Sequence, residues 1–299
     1  MIDVREALTR AAGQLAAHPD LRPTAVPDAT ILLMHALGLD RVALIAHPER
    51  SLTREQLADI QRLVERRLRF EPIQYILGTQ EFYGLELRVS PAVLIPRPET
   101  ETLVEAVLAR LHNPVPHSSQ SHRDEWDPAQ HHPRIADIGT GSGAIAIALA
   151  VGLPDADVTA LDISTAALDI ARENAQTHKV EGRMRFLESD LLAAVAHEPR
   201  FDAIVSNPPY IPDSDAPTLH TQVREFEPSL ALFAGVEGLD IYTRLIPQAA
   251  ELLKPGGLLA LEIGYGQRDA IAGLLADWND VEIVADLQGI PRVALARLA

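Results

Sequence analysis

The chain has 299 residues, enough for about two domains at roughly 100–200 residues each, and 47% of them are hydrophobic, which suits ordinary buried cores. With no cysteine it has no disulfide, thiolate nucleophile or cysteine-ligated zinc or iron–sulfur site, so its chemistry rests on oxygen, nitrogen or a bound organic group. A formal charge of −16 repels phosphate backbones and weighs against a nucleic-acid partner.

The opening residues, Met1-Ile2-Asp3-Val4-Arg5-Glu6, lack the basic-then-apolar order of a signal peptide. The longest apolar run, Ala144 to Leu153, is too short to span a bilayer. A soluble, cytoplasmic protein with no membrane partner is expected. Residues 1–72 predict a helical bundle: Val4, Leu8, Ala11 and Leu15 share one helical face, and Thr53-Arg54-Glu55-Gln56 reads as a capping box ahead of Leu57, Ile60, Val64 and Arg67 in register. Arg62, Arg66, Arg67 and Arg69 charge the last helix, as a solvated face or a docking surface.

From Ile73 the pattern turns strand-like, and Leu85, Leu87 and Val89 alternate after the Tyr83-Gly84 turn signal, which predicts a β-hairpin connector over 73–95. Pro96 and Pro98 then open a second domain, 96–299, whose first helix carries the stripe Leu103, Val104, Val107, Leu108, Leu111 with Glu99 and Glu101 at its positive end. Residues 113–133, poor in apolar side chains and rich in Pro, Ser and His, predict a flexible surface insertion. Its histidines, His117, His122, His131 and His132, have no neighbouring carboxylate pattern, so no metal is expected.

Beyond 133 strands and helices alternate: Ile135–Ile138, a helix from Ala144, Val158–Leu161, a helix from Ser164, Met184–Leu187, Ala203–Val205, a helix from Asp240, Leu258–Ile263 and a helix from Gln267. Such alternation predicts an α/β fold with a parallel sheet covered on both faces. Of the last apolar runs, Val281–Val284 and Val293–Ala296, one is expected as an antiparallel edge strand; Pro247 should kink its helix.

Between the first strand and its helix, Gly139, Thr140, Gly141, Ser142 and Gly143 let the backbone approach a ligand at a helix N-terminus. Gly139, Gly141 and Ala144 also satisfy the dinucleotide fingerprint, so the loop alone leaves open whether the ligand is NAD or another adenosine. Asp162, closing the second strand, is placed to accept from both ribose hydroxyls, or simply caps the turn before Ser164. Asp190 is a candidate acceptor for an adenine amino group with Leu191 lining the ring; the competing reading is a solvated loop acid.

The fourth strand ends in Ser206-Asn207-Pro208-Pro209-Tyr210, a stiff polar loop at the carboxyl edge of the sheet, where ligands bind. The prolines remove two N–H donors, so the carbonyls of Asn207 and Pro208 and the Asn207 side-chain oxygen are candidate acceptors for an NH2 group, while Tyr210 can stack on the planar group that carries it.

Asn-Pro-Pro-Tyr resembles the motif of methyltransferases acting on planar NH2 groups. With Gln74-Tyr75-Ile76-Leu77-Gly78, Glu81-Phe82-Tyr83-Gly84, Leu94-Ile95-Pro96-Arg97-Pro98-Glu99-Thr100-Glu101 and Phe226-Glu227-Pro228 through Gly238-Leu239-Asp240, the chain is similar to the release factor glutamine methyltransferases over nearly its whole length. The insertion and Leu191, where some members carry tryptophan, depart from that pattern. The resemblance implies a Rossmann-like domain dependent on S-adenosyl-L-methionine, with S-adenosyl-L-homocysteine as product and no metal. It implies a bundle that seats a peptide chain release factor, whose Gly-Gly-Gln glutamine enters the site. By position, Gly139 to Gly143, Asp162, Asp190, Leu191 and Asn207 would line the donor. Asn207, Pro208, Pro209 and Tyr210 would hold the glutamine, with Asn207, Pro208 and Tyr210 catalytic and Arg97 and Glu99 shaping the wall. A DNA adenine methyltransferase shares the motif but ordinarily needs a basic region to hold and flip its base. A silent assembly factor would bind the release factor without consuming donor.

Overall fold

The computed structural model describes residues 2–112 and 132–299. His117, His122 and His131 thus lie outside the described residues, with most of the expected insertion; His132 is exposed, its Nδ1 2.9 Å from the Asp155 carbonyl. Contacts divide the chain into two compact units, one comprising the residues up to Thr79 together with His220–Phe226, the other Gln80–Leu219 and Glu227 onward.

The first unit is helical. Helix α1, Val4–Ala16, starts where Asp3 accepts the Glu6 amide at 2.8 Å, and it buries Val4, Ala7, Ala11 and Leu15. Helix α2, Ala25–Leu37, ends on Gly38 in the left-handed region, and α3, Arg41–Ala46, is capped by Asp40. Helix α4, Arg54–Leu68, begins in the expected capping box between Thr53 and Gln56. Arg62, Arg66, Arg67 and the C-cap Arg69 do not form one charged face. Arg67 is buried, donating to Asp28 at 2.7 Å, to the Glu71 carbonyl at 3.1 Å and to Gln222 at 3.2 Å. Arg66 pairs with Glu71 at 2.5 Å, while Arg62 and Arg69 stay exposed. Helix α5, Ile73–Leu77, occupies the start of the segment read as strand: Ile73, Ile76 and Leu77 follow helical spacing, and Gly78 at φ 81 closes the turn.

The hairpin is therefore shorter than expected: β1, Thr79–Phe82, pairs with β2, Leu85–Arg88, across Tyr83 and Gly84, both at positive φ as the favoured two-residue turn requires. Buried Asn174 clamps it, accepting the Arg88 amide at 2.7 Å and donating to the Arg88 carbonyl at 3.0 Å. A short 3-10 turn, Pro98–Thr100, leads into α6, Glu101–His112.

The main sheet follows as β3 (Arg134–Ile138), α7 (Ala144–Gly152), β4 (Asp157–Asp162), α8 (Thr165–Thr177), β5 (Met184–Glu188) and β6 (Phe201–Ser206). After the short α9 (Thr221–Phe226) of the first unit come α10 (Asp240–Leu252), β7 (Leu253–Glu262), α11 (Arg268–Leu274), β8 (Asn279–Ala285) and β9 (Pro291–Arg297). Strand order is β5-β4-β3-β6-β7-β9-β8. The first five strands are parallel, as the alternation predicts. The expected antiparallel strand is β9, but it is not the edge: it enters between β7 and β8, and β8 is outermost. Pro247 stands exposed inside α10, which continues past it to Leu252.

Alternation along the strands sorts the core into two layers. Val158, Ala160, Ala203 and Val205 face a cluster with α6 and α7, whereas Ile138, Leu161, Ile204 and Leu261 face one with α10 and α11. Each fully buried leucine or isoleucine contributes about 1.5–3 kcal/mol over exposure, so both layers hold the strand ends rigidly.

Candidate active site

Strands β3 and β6 are neighbours, and the chain runs from β3 to β4 and β5 on one side before crossing to β6 on the other. The order reverses there, and at such a reversal the loops leaving the carboxyl ends diverge into a crevice. Register sets those ends level: Ile138 pairs with Leu161 and with Ser206. Ser206 adds a side-chain bond to the Ile138 carbonyl at 2.7 Å, tying the start of the Asn207 loop to the root of the glycine loop.

The amides of Gly139 and Thr140 both donate to the Leu161 carbonyl, at 2.8 and 3.0 Å, which folds the loop back over β4. Gly139 and Gly141 lie at φ 71 and 56, and a methyl group in place of the hydrogen on Gly139 would meet nothing within 4 Å. Glycine is used here for backbone shape and for open approach. Gly143 differs, since a Cβ would come within 2.9 Å of Ile147 and 3.2 Å of Ala171; its role is close packing of α7 on α8. Asn174, which holds the hairpin, also donates to the Ser142 carbonyl at 2.8 Å.

Below the loop Asp137 is fully buried, with Thr140 donating to one oxygen at 2.7 Å and no hydrogen-bond partner on the other. Burial pushes its carboxyl up to about 7, against the Thr140 bond. Asp162 closes β4 and accepts from Gly141 at 2.8 Å and from Ser164 at 2.9 Å. Burial raises its carboxyl, opposed by those amides. A carboxylate has about four acceptor positions, so two remain for a diol. Asp162 thus caps the turn and shapes the loop whatever else it does.

The third loop is less enclosed. Asp190 is exposed and paired with Arg244 at 2.6 Å, while Leu191 is half-buried against the α10 layer at φ 52. A left-handed leucine costs roughly 1–2 kcal/mol, so its surroundings enforce that conformation.

At the end of β6, Pro208 is buried and Asn207, Pro209 and Tyr210 are partly so. Asn207 donates through Nδ2 to the Thr100 hydroxyl at 3.1 Å, leaving Oδ1 as the acceptor of that amide. Burial first, then Glu262, pushes the Tyr210 hydroxyl up to about 12. Gln267 braces the loop, donating to the carbonyls of Tyr210 at 3.0 Å and Gly238 at 3.1 Å while accepting the Gly264 amide at 2.9 Å. Gly238 is obligatory: a Cβ would stand 2.2 Å from the Tyr210 carbonyl oxygen. Arg97 pairs with Glu227 at 2.5 Å rather than with Glu99, and the Glu227 side chain is almost wholly buried.

The sequence reading missed Thr100, Asn174, Glu262 and Gln267. Glu262 carried a signal, as a lone acid at the carboxyl end of a buried strand; the others looked like ordinary polar residues of helix ends and surfaces.

The family model of the PrmC N-terminal domain matches residues 6–78, and that of the methyltransferase small domain matches residues 125–225. The solved T. thermophilus 16S rRNA N2 G1207 methyltransferase, in complex with AdoMet and guanosine, shares the fold with a TM-score of 0.51 at 20% identity, covering 74% of this chain and 50% of that one. The second unit is thus a Rossmann-like methyltransferase domain. Release factor glutamine methyltransferases of Koribacter versatilis and Moorella thermoacetica are 46% and 43% identical to the chain, covering 90% of both chains in the first case and 98% of both in the second. The chain belongs to the release factor glutamine methyltransferase family. Among the described residues no helix is long and apolar enough to cross a membrane.

Proposed function

We propose that the protein transfers a methyl group from S-adenosyl-L-methionine to the side-chain amide nitrogen of the glutamine in the Gly-Gly-Gln motif of peptide chain release factors. What carries this reading is the convergence of the glycine loop, Asp162 and Asn207–Tyr210 at one sheet edge, in a chain 46% identical to a release factor glutamine methyltransferase.

The open side of Gly139 and the remaining acceptor positions of Asp162 fit an adenosyl group, with Asp162 holding the ribose and Leu191 against the base. Asp190 serves the adenine only by sharing its carboxylate with Arg244. When bound, the donor supplies a methyl group on a cationic sulfur that leaves as the neutral thioether, S-adenosyl-L-homocysteine. The chain's own task is to localise the amide lone pair of glutamine, which is otherwise delocalised into its carbonyl. Asn207 Oδ1 and the Pro208 carbonyl accept the two N–H bonds, and Tyr210 lies along the amide plane. Positive charge develops on those protons during attack, so fixed acceptors favour the transition state over the ground state. One proton leaves to water after transfer. Positioning supplies most of the rate, and the absence of cysteine is no handicap because no covalent enzyme intermediate is needed.

Labelled donor tests the reading: label should pass to a release factor and not to the same factor with the Gly-Gly-Gln glutamine changed to alanine. Equal labelling of both would refute it. The donor end is tested by Asp162→Ala, which should weaken donor binding by about 1–3 kcal/mol through loss of a buried acceptor. Isothermal titration of a folded variant with unchanged affinity would assign Asp162 to the turn alone.

A further inference from the structure

Apolar side chains scattered singly over a surface need no account, but two of the most exposed among the described residues stand together beside the candidate site. Val236 and Tyr265 are 84% and 83% exposed, and neither belongs to the buried layers of the sheet. Each sits on a short turn that abuts Tyr210. Val236 lies in the loop 234–240, where Ala234 donates to the Ile211 carbonyl at 3.0 Å and Asp240 closes the loop on the Ala234 carbonyl at 3.3 Å. Two residues past Val236, Gly238 meets the Tyr210 carbonyl so closely that no side chain fits. Tyr265 lies in the turn closed by the Gln267 amide on the Gly264 carbonyl at 3.2 Å, and a Cβ on Gly264 would stand 2.9 Å from Cδ2 of the Tyr210 ring.

The Gln267 side chain locks the two turns to each other and to Tyr210, since its one amide group reaches the Gly264 N–H and the carbonyls of Gly238 and Tyr210. The core gains nothing from Val236 or Tyr265, yet the turns that carry them are braced as firmly as the Asn207 loop. An apolar surface held rigid in advance loses little conformational entropy on binding, and a tyrosine supplies a large contact area with only two rotatable bonds.

We propose that Val236 and Tyr265 form a rim subsite for the substrate polypeptide, taking the main chain that adjoins the reacting glutamine. The subsite rests on the functional reading above. Continuity with Tyr210 identifies the occupant: a glutamine whose amide lies along the Tyr210 ring has its main chain at the mouth of the crevice, in the path of the two turns. The glycines beside it present bare peptide planes, against which an aromatic ring and a branched methyl pair can lie. The rim therefore sets affinity for the substrate and not the rate of the methyl step.

Steady-state methyl transfer to release factor by wild type, Y265A, Y265F and V236S tests the subsite. Both side chains are exposed, so the variants keep the fold. Y265A should raise the KM for release factor by about 5- to 30-fold, the span from an ordinary interface contact to an anchoring one. V236S should raise it less, in the same direction, and Y265F should stay close to wild type, because the ring and not the hydroxyl makes the contact. The rate at saturating release factor should fall far less than KM rises, as for a contact kept equally in the ground and transition states. A KM in Y265A equal to wild type overturns the subsite, as does a loss confined to the saturated rate, which would make the turn a support for Tyr210 alone. Sedimentation covers the other occupant: a wild-type dimer that Y265A converts to monomer gives the rim to a second copy of the chain and also overturns the subsite. A wild type that binds donor but transfers no methyl to release factor instead brings down the functional reading and the subsite with it.

Discussion

Asn207→Ala is expected to slow methyl transfer to a release factor by about 100- to 1000-fold, because removal of one preorganised contact to developing charge commonly costs about 2.7–4 kcal/mol. Donor affinity should change far less, since the glycine loop and Asp162 are held by their own bonds to Leu161 and Ser164. Asn207→Asp separates oxygen from amide. It keeps an acceptor at the same reach but gives up the Nδ2–H that bonds to Thr100 and brings a charge that must be accommodated. The Asp variant should therefore lie between wild type and Ala. Single-turnover rates beside donor titrations check both claims. Near-normal turnover in Asn207→Ala would remove this residue from the mechanism.

The second large effect is on stability. Arg67 and Asp28 are both almost wholly buried and 2.7 Å apart, so Arg67→Met should destabilise the helical unit by about 3–5 kcal/mol by leaving the aspartate charge unpaired. Thr24 still donates to Asp28 at 3.0 Å, but one hydroxyl cannot replace a guanidinium. Pairing Arg67→Met with Asp28→Leu should recover most of the loss, because apolar replacement of a whole buried pair is often neutral. Hydrogen exchange resolves the helical unit from the catalytic one and reads both variants. A single variant as stable as wild type would contradict the account of this pair.

Arg67 also shows how far the sequence could be read. Its spacing with Leu57, Ile60 and Val64 put it on the inner face of α4, yet its charge suggested the surface. What reconciles the two is Asp28, which lies 39 residues away and leaves no local trace. The glycine loop and Asn207–Tyr210 were legible because glycine and proline act on the backbone where they stand. Alternating strands and helices announced a parallel sheet, but strand order depends on long-range pairing, so β9 between β7 and β8 was out of reach. The segment Ile73–Leu77 was misread because β-branched residues suggested a strand, while Pro72 and Gly78 bounded a single helical turn. Thr100 and Asn207 stand 107 positions apart, and only the fold brings them to one hydrogen bond.

The central claim is that this sheet edge methylates a glutamine amide, and peptide mass spectrometry of a release factor incubated with enzyme and S-adenosyl-L-methionine tests it most directly. The account predicts one added methyl group, located by fragmentation on the glutamine of the Gly-Gly-Gln tripeptide and missing when Asn207→Ala replaces the wild type for a single turnover time. An unmodified glutamine, with methyl transfer found instead on DNA adenine, would contradict it.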